Sequence, residues 1–165
     1  MTASTGPQLR DPAHRVSPRA PLVWAVGAVV RSIVLGLVLL FASAVVELFG
    51  MPLWAWLLYA AVAIGYAALM PAYRYRVHRW ETTATAVYTQ SGWLTRERRI
   101  APMSRVQTVD LHQTAVSRLF GLANVTVTTA SAAGPVRIEA LDVAVAEGLV
   151  DDLTRRAEAE AGDAT

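Results

Sequence analysis

The 165-residue sequence predicts two membrane-spanning helices joined as a hairpin, followed by a strongly bent antiparallel β-sheet capped by a C-terminal α-helix. Three observations predict it. Residues 21–73 carry only two charged side chains, Arg31 and Glu47. From Trp80 onward the apolar side chains recur at every second position, the period of a half-buried strand. After Asp142 they recur at spacings of three and four, the period of an amphipathic helix. A mean hydropathy of +0.36, high for a soluble protein, is concentrated in the first of these regions.

Residues 1–20 contain Pro7, Pro12 and Pro18 and almost no large apolar side chains. Such a segment buries too little surface to offset its ordering entropy, so a disordered N-terminal tail is expected. It does not read as a secretory signal, whose basic leading region is shorter and free of this much proline.

The hairpin is placed at residues 21–73, with spans at about 22–49 and 53–73. A spanning helix needs roughly 20 mostly apolar residues. Ser32–Phe49 supplies eighteen, with Glu47 near its end. Arg31 admits two placements. Its cation reaches the headgroups while Leu22–Val30 lies in the interface with Trp24 as an anchor. Alternatively it sits deep in the bilayer, where a charge is costly and usually functional. Starting the span at Ser32 removes the charge at no cost, which favours the first. Gly50-Met51-Pro52 forms a short turn. Leu53–Tyr73 is the second span and has no charge. Trp54 and Trp56 at its start and Tyr73 and Tyr75 at its end suit the two interfaces. Small residues such as Gly36, Ala60, Ala63 and Gly65 allow close approach of the helices.

Basic residues flank the hairpin on one side only. Arg10, Arg15 and Arg19 precede it, Arg74, Arg76 and Arg79 follow it, and Glu47–Pro52 has none. Basic flanks remain cytoplasmic, so both termini are predicted in the cytoplasm of a multi-pass cell-membrane protein. The motif Arg74-Tyr75-Arg76-Val77-His78-Arg79-Trp80 then serves as stop signal and surface anchor, each arginine worth about 1 kcal/mol near an anionic leaflet.

Residues 74–160 form the predicted soluble domain, with 161–165 as a tail. Trp80–Thr89 alternates and is rich in Thr, Gln90-Ser91-Gly92 is a turn, and Trp93–Ile100 is a returning strand. Arg105–Gln113 is a third strand, and Thr114–Gly121 a turn of helix or a tight loop. Leu122–Ala130 and Pro135–Leu141 form a second hairpin. Asp142 is placed to cap a helix with Ala146, Leu149, Val150, Leu153 and Ala157 on one face.

Three phrases, in order, resemble a known family: Ser91-Gly92-Trp93-Leu94-Thr95-Arg96; Ile100-Ala101-Pro102 leading into Arg105-Val106-Gln107; and Arg118–Ala123 before the Val-Thr-Val-Thr strand. With two spans and a basic exit ahead of them, they resemble the bacterial YdbS-like membrane proteins with a pleckstrin-homology-like (PH-like) domain. The resemblance covers roughly residues 20–158. It implies a seven-stranded, barrel-like sheet capped by the last helix. It also implies a partner: a larger membrane protein with repeated PH-like domains.

No catalytic constellation is legible. The chain has no cysteine, which removes disulfides, thiolate metal sites and cysteine catalysis. His14, His78 and His112 are scattered with no metal-ligand spacing, and no nucleophile-elbow, zincin or phosphate-loop motif occurs. No cofactor is expected. The arginines are dispersed and the net charge is +2, so nucleic acid is not an expected partner. The reading is therefore a non-catalytic adaptor in the bilayer, binding a membrane protein or itself through a sheet edge or loop. The alternative is an anionic-lipid reader, using Arg96, Arg98 and Arg99 after the first turn with Arg105 nearby. A second alternative, a small subunit of a transport or export assembly, rests on Arg31 and Glu47 alone.

Overall fold

The structure, a computed structural model, describes residues 11–45, 51–131 and 134–163. The hairpin consists of α1 (Ala20–Val45) and α2 (Leu53–Val77). The expected Glu47 and Gly50 lie outside the described residues. Both helices are long and apolar enough to cross a membrane, and the most apolar 18-residue window of each is only 6% buried. The outer part of the hairpin therefore exposes a nearly continuous apolar surface that only lipid or another helix covers. Gly36 lets the helices touch. A Cβ there would lie 3.3 Å from the Tyr59 ring, whose hydroxyl donates to the Ser32 carbonyl.

α2 runs a turn further than the sequence suggested, so Arg74 and Arg76 occupy its last turn. Cations at that end favour the helix dipole. His78 then caps it, its backbone N–H donating to the Arg74 carbonyl at 2.8 Å.

Among the described residues, seven strands form two antiparallel sheets. One sheet has the order β1-β2-β3-β4, from β1 (His14–Arg15), β2 (Arg79–Thr82), β3 (Ala86–Gly92) and β4 (Arg96–Pro102). A 3-10 turn at Met103–Arg105 leads to the second, β5-β6-β7, from β5 (Val106–His112), β6 (Leu122–Thr129) and β7 (Val136–Asp142). The short α3 (Ala115–Leu119) joins β5 to β6, and α4 (Val143–Asp163) follows β7. The architecture is broadly PH-like, but the described strands do not close into a barrel.

Two expectations are corrected here. The alternating run Trp80–Thr89 is not one strand. It breaks at Thr83–Thr85, where the Thr83 hydroxyl accepts from the backbone N–H groups of Thr85 and Ala86. A threonine side chain closes that turn without glycine or proline. The hairpin turn after β3 accordingly falls at Trp93–Thr95 rather than at Gln90–Gly92.

The second correction concerns the N-terminal tail. Residues 11–19, expected to be disordered, are bound to the domain. His14 and Arg15 pair with Trp80 and Arg79. Val16 and Ser17 are buried. Ser17 donates from its backbone to the Ala140 carbonyl at 3.0 Å and from its hydroxyl to Asp142 at 2.9 Å. Ala140 has φ +55°, at a bulge where the Asn124 side chain accepts from its N–H at 2.8 Å. A left-handed alanine costs of order 1 kcal/mol. The segment is ordered because each of its few polar groups finds a specific partner, not because it carries a core of its own.

Between the sheets and α4 lies an aliphatic core built from Val87, Ala101, Met103, Val125, Val127, Ile138, Leu141, Ala146, Leu149 and Leu153. The stripe anticipated on the last helix thus faces the sheets.

Candidate functional site

A second buried cluster sits where the base of the hairpin meets the domain. Val16, Ala20, Trp24 and Ala28 come from the leading segment and α1, Met70 from α2, Leu122 from β6 and Ala140 from β7. Trp24, expected as an interfacial anchor, is instead only 8% exposed within this cluster. The Arg74 guanidinium lies over its ring at 4.4 Å from the centroid, and the His78 ring lies at 4.9 Å. A cation on an indole face is attracted by the ring quadrupole.

Arg74 also donates to Glu139 of β7 at 2.7 Å. His78 is 3% exposed. Burial, and then the adjacent Arg74 charge, hold its pKa below the ordinary value of 6.5, against weaker opposition from its bond to the Arg74 backbone and from Glu139. The contacts suit a neutral ring. Nδ1 donates to the Arg74 carbonyl at 2.9 Å, which leaves Nε2 to accept from the Arg74 guanidinium at 3.3 Å. Gln90 completes the seam: its amide donates to the Val77 carbonyl at 3.1 Å and its oxygen accepts from Arg98 at 2.9 Å. A terminal carbonyl of α2 is thereby satisfied by β3.

The turn between β3 and β4 climbs alongside α2. Gly92 has φ +142°, and a Cβ there would meet the Thr95 carbonyl oxygen at 1.9 Å, so only glycine forms this turn. The turn sets Trp93 edge-on against Tyr73 and Tyr66, with centroids 5.2 and 6.3 Å apart. Tyr66 lies eleven residues before the end of α2, about 16 Å along the axis. Arg31 lies eleven residues after the start of α1 and stands at a similar height. Helical side chains lean toward the N-terminus, which carries the Arg31 guanidinium back toward the base. There Arg31, Tyr66, Arg74, Ser91, Trp93 and Glu139 surround an opening of about 240 Å³.

The arginines expected to read lipid do not form one basic patch. Arg98 is ion-paired with Asp11, and Arg99 with Glu97 at 2.6 Å. Arg99 also donates to the Pro135 carbonyl at 3.1 Å. Arg98, Arg99 and Arg105 share the wall of one opening of about 330 Å³, which Arg96 does not join. Arg96 pairs across the ladder with Gly92, at the base of the Trp93 turn.

Among the expected anchors, Trp54 is exposed in the first turn of α2 and Trp56 stacks edge-on with Tyr59 at 6.2 Å. Tyr73 supports Trp93, as above. Tyr75 lies beneath Arg15, 5.9 Å from its guanidinium. Arg76 is exposed. Arg79 belongs to β2 and donates to the Pro12 carbonyl at 3.4 Å. The roles of Glu139 and Ser17, and the bond from Ser17 to Asp142, were not anticipated, since each acts on a segment far away in the chain. Nor was the bridge that Gln90 makes between Val77 and Arg98. Among the described residues no group of three His, Asp or Glu side chains could hold a metal.

A sequence profile described as "Bacterial PH domain" matches residues 22–157, most of the chain. The chain belongs to the bacterial PH domain family. The match begins inside α1 and ends inside α4, so this bacterial PH protein shares hairpin and sheets alike with its family. It is 30% identical over 154 residues to the transmembrane protein YdbS of Bacillus subtilis (strain 168), covering 89% of this chain and 94% of that protein. No solved structure matches it significantly. With two apolar helices exposed along their length, this bacterial PH protein is a membrane protein.

Proposed function

We propose that the protein is a non-catalytic adaptor that holds its PH-like domain in a fixed orientation at the cytoplasmic face and engages a membrane protein along the edge of β4. The observation that carries this reading is the open sheet. Within the described residues β4 is paired only on its β3 side. An unpaired strand edge is a template for an added strand. Beyond it, Thr89, Ser91, Glu97, Arg99, Arg137 and Glu139 line a polar opening of about 370 Å³ between β3, β4 and β7. Ile100 on β4 is 50% exposed.

The shared core supports the fixed orientation, because Trp24, Met70 and Ala140 from three elements pack as one unit. The pairing of β1 with β2 supports the placement of both flanks at one end of the hairpin. The basic residues gathered at that end favour the cytoplasm. A larger membrane protein with repeated PH-like domains, or a second copy of this chain, is the partner of matching chemistry.

The test is a photo-crosslinking residue at Ile100 in the full chain within native membranes, with Thr154 on α4 as the comparison site. Adducts at position 100 that contain either this chain or an integral membrane protein with PH-like domains are expected. Absence of any adduct there, or identical adducts from position 154, overturns the assignment.

A further inference from the structure

Arg31 is the charge the adaptor reading leaves unused. Among the described residues no hydrogen bond or ion pair reaches it, although it stands in a helix whose neighbours Val29, Val30, Ile33 and Val34 are exposed apolar side chains. Its depth follows from helix geometry. Tyr66, at the height of Arg31, lies thirteen residues after Leu53, or about 20 Å along the axis. A hydrocarbon core is about 30 Å thick. With Trp54 at the far interface, the guanidinium projects from roughly 10 Å inside the near boundary toward the base. A cation held there demands an anion or water.

The surrounding groups define what fits. Arg74 is neutralised by Glu139 at 2.7 Å, so Arg31 is the unbalanced charge on the wall of the opening. Tyr66 and Trp93 supply an aromatic wall in which each ring carries one polar group, a phenol hydroxyl and an indole N–H. Ser91 adds a hydroxyl and the turn backbone approaches closely at Gly92. Beside Trp93, Leu94 is 88% exposed at the tip of the same turn, positioned to enter the leaflet rather than water.

We propose that this opening is a lipid site: the single phosphodiester anion of an anionic phospholipid sits on Arg31 between Tyr66 and Trp93, while Leu94 packs among the acyl chains. One uncompensated cation matches one phosphodiester charge. The site is distinct from Arg98 and Arg99, which already hold carboxylates.

The full chain, purified in detergent, is titrated with phosphatidylglycerol and with phosphatidylcholine, and retained lipid is read by native mass spectrometry. Phosphatidylglycerol is expected to bind at least tenfold more tightly. Arg31→Gln abolishes the preference, Arg31→Lys keeps part of it, and Arg105→Gln leaves it intact. Inorganic phosphate or glycerol phosphate at millimolar concentration fails to displace the lipid. Equal retention of the two lipids, an unchanged preference in Arg31→Gln, or displacement by soluble phosphate overturns the assignment. A second measurement needs no change at Arg31. A photoreactive leucine at Leu94, in mixed bilayers, must give phospholipid adducts enriched at least threefold in phosphatidylglycerol over the bulk composition. Adducts in bulk proportion, or none, also overturn it.

Discussion

The two buried clusters of this protein are held together differently. The domain core is aliphatic, drawn from strands and a helix between Val87 and Leu153, and hides no charge. The junction core combines Trp24, Met70 and small residues from four segments with an ion pair and a neutral histidine along its border. The first follows from burial of apolar surface by a periodic sequence. The second joins apolar side chains from separate segments and is bordered by an ion pair and a histidine, which are unfavourable to bury without their partners. The proposed presentation of the domain in a fixed orientation rests on the second.

The comparison breaks most sharply in the domain core. Leu153→Ala, at a fully buried position on α4, should destabilise the domain by about 3 kcal/mol, seen as a lowered thermal midpoint of the detergent-solubilised chain. Arg74→Gln should cost less, about 1–2 kcal/mol, because its carboxylate partner is 39% exposed. Its signature is different: Trp24 loses its cation, and proteolysis between hairpin and domain should accelerate while the sheets stay protected. A loss in Arg74→Gln equal to that in Leu153→Ala would mean the two cores unfold as one.

The pH dependence separates them further. Burial and Arg74 keep the folded-state pKa of His78 below 6.5. Above about pH 6.5 the ring is neutral in both states and the stability is fully present. As pH falls below that value the unfolded chain takes up a proton that the folded one refuses. Stability then declines by at most about 1.4 kcal/mol per pH unit until the folded pKa is reached. Thermal midpoints at pH 7.5, 6.5 and 5.5 should show this slope, and His78→Gln should flatten it. The smallest effect is expected from Ser17→Ala, which removes the hydrogen bond to Asp142 at about 1 kcal/mol. Tryptic cleavage at Arg15 and Arg19 should quicken with little change in the midpoint.

The domain core was legible because alternation along β6 and the stripe of α4 translate directly into burial. The hairpin was legible for the same reason on a larger scale. The break at Thr83 was not, because alternation runs through it and its turn is closed by a side-chain oxygen. The ordered leading segment was invisible because Ser17 and Asp142 are 125 residues apart. No local pattern encodes such a contact. The basic run at the membrane exit was read as a surface anchor, yet Arg74 turns inward to Trp24 and Glu139. Composition locates arginines; it does not say which of them have partners.

The pairing of β1 with β2 also orders events during synthesis. His14 leaves the ribosome well before its partner Trp80, and both spans are made between them. A chain in which only one of the two spans crosses strands His14 and Ser17 across the bilayer from Trp80 and Asp142. That chain has every helix and strand sequence it needs and still cannot finish folding. The short first strand thus ties completion of the domain to the crossing of both spans together.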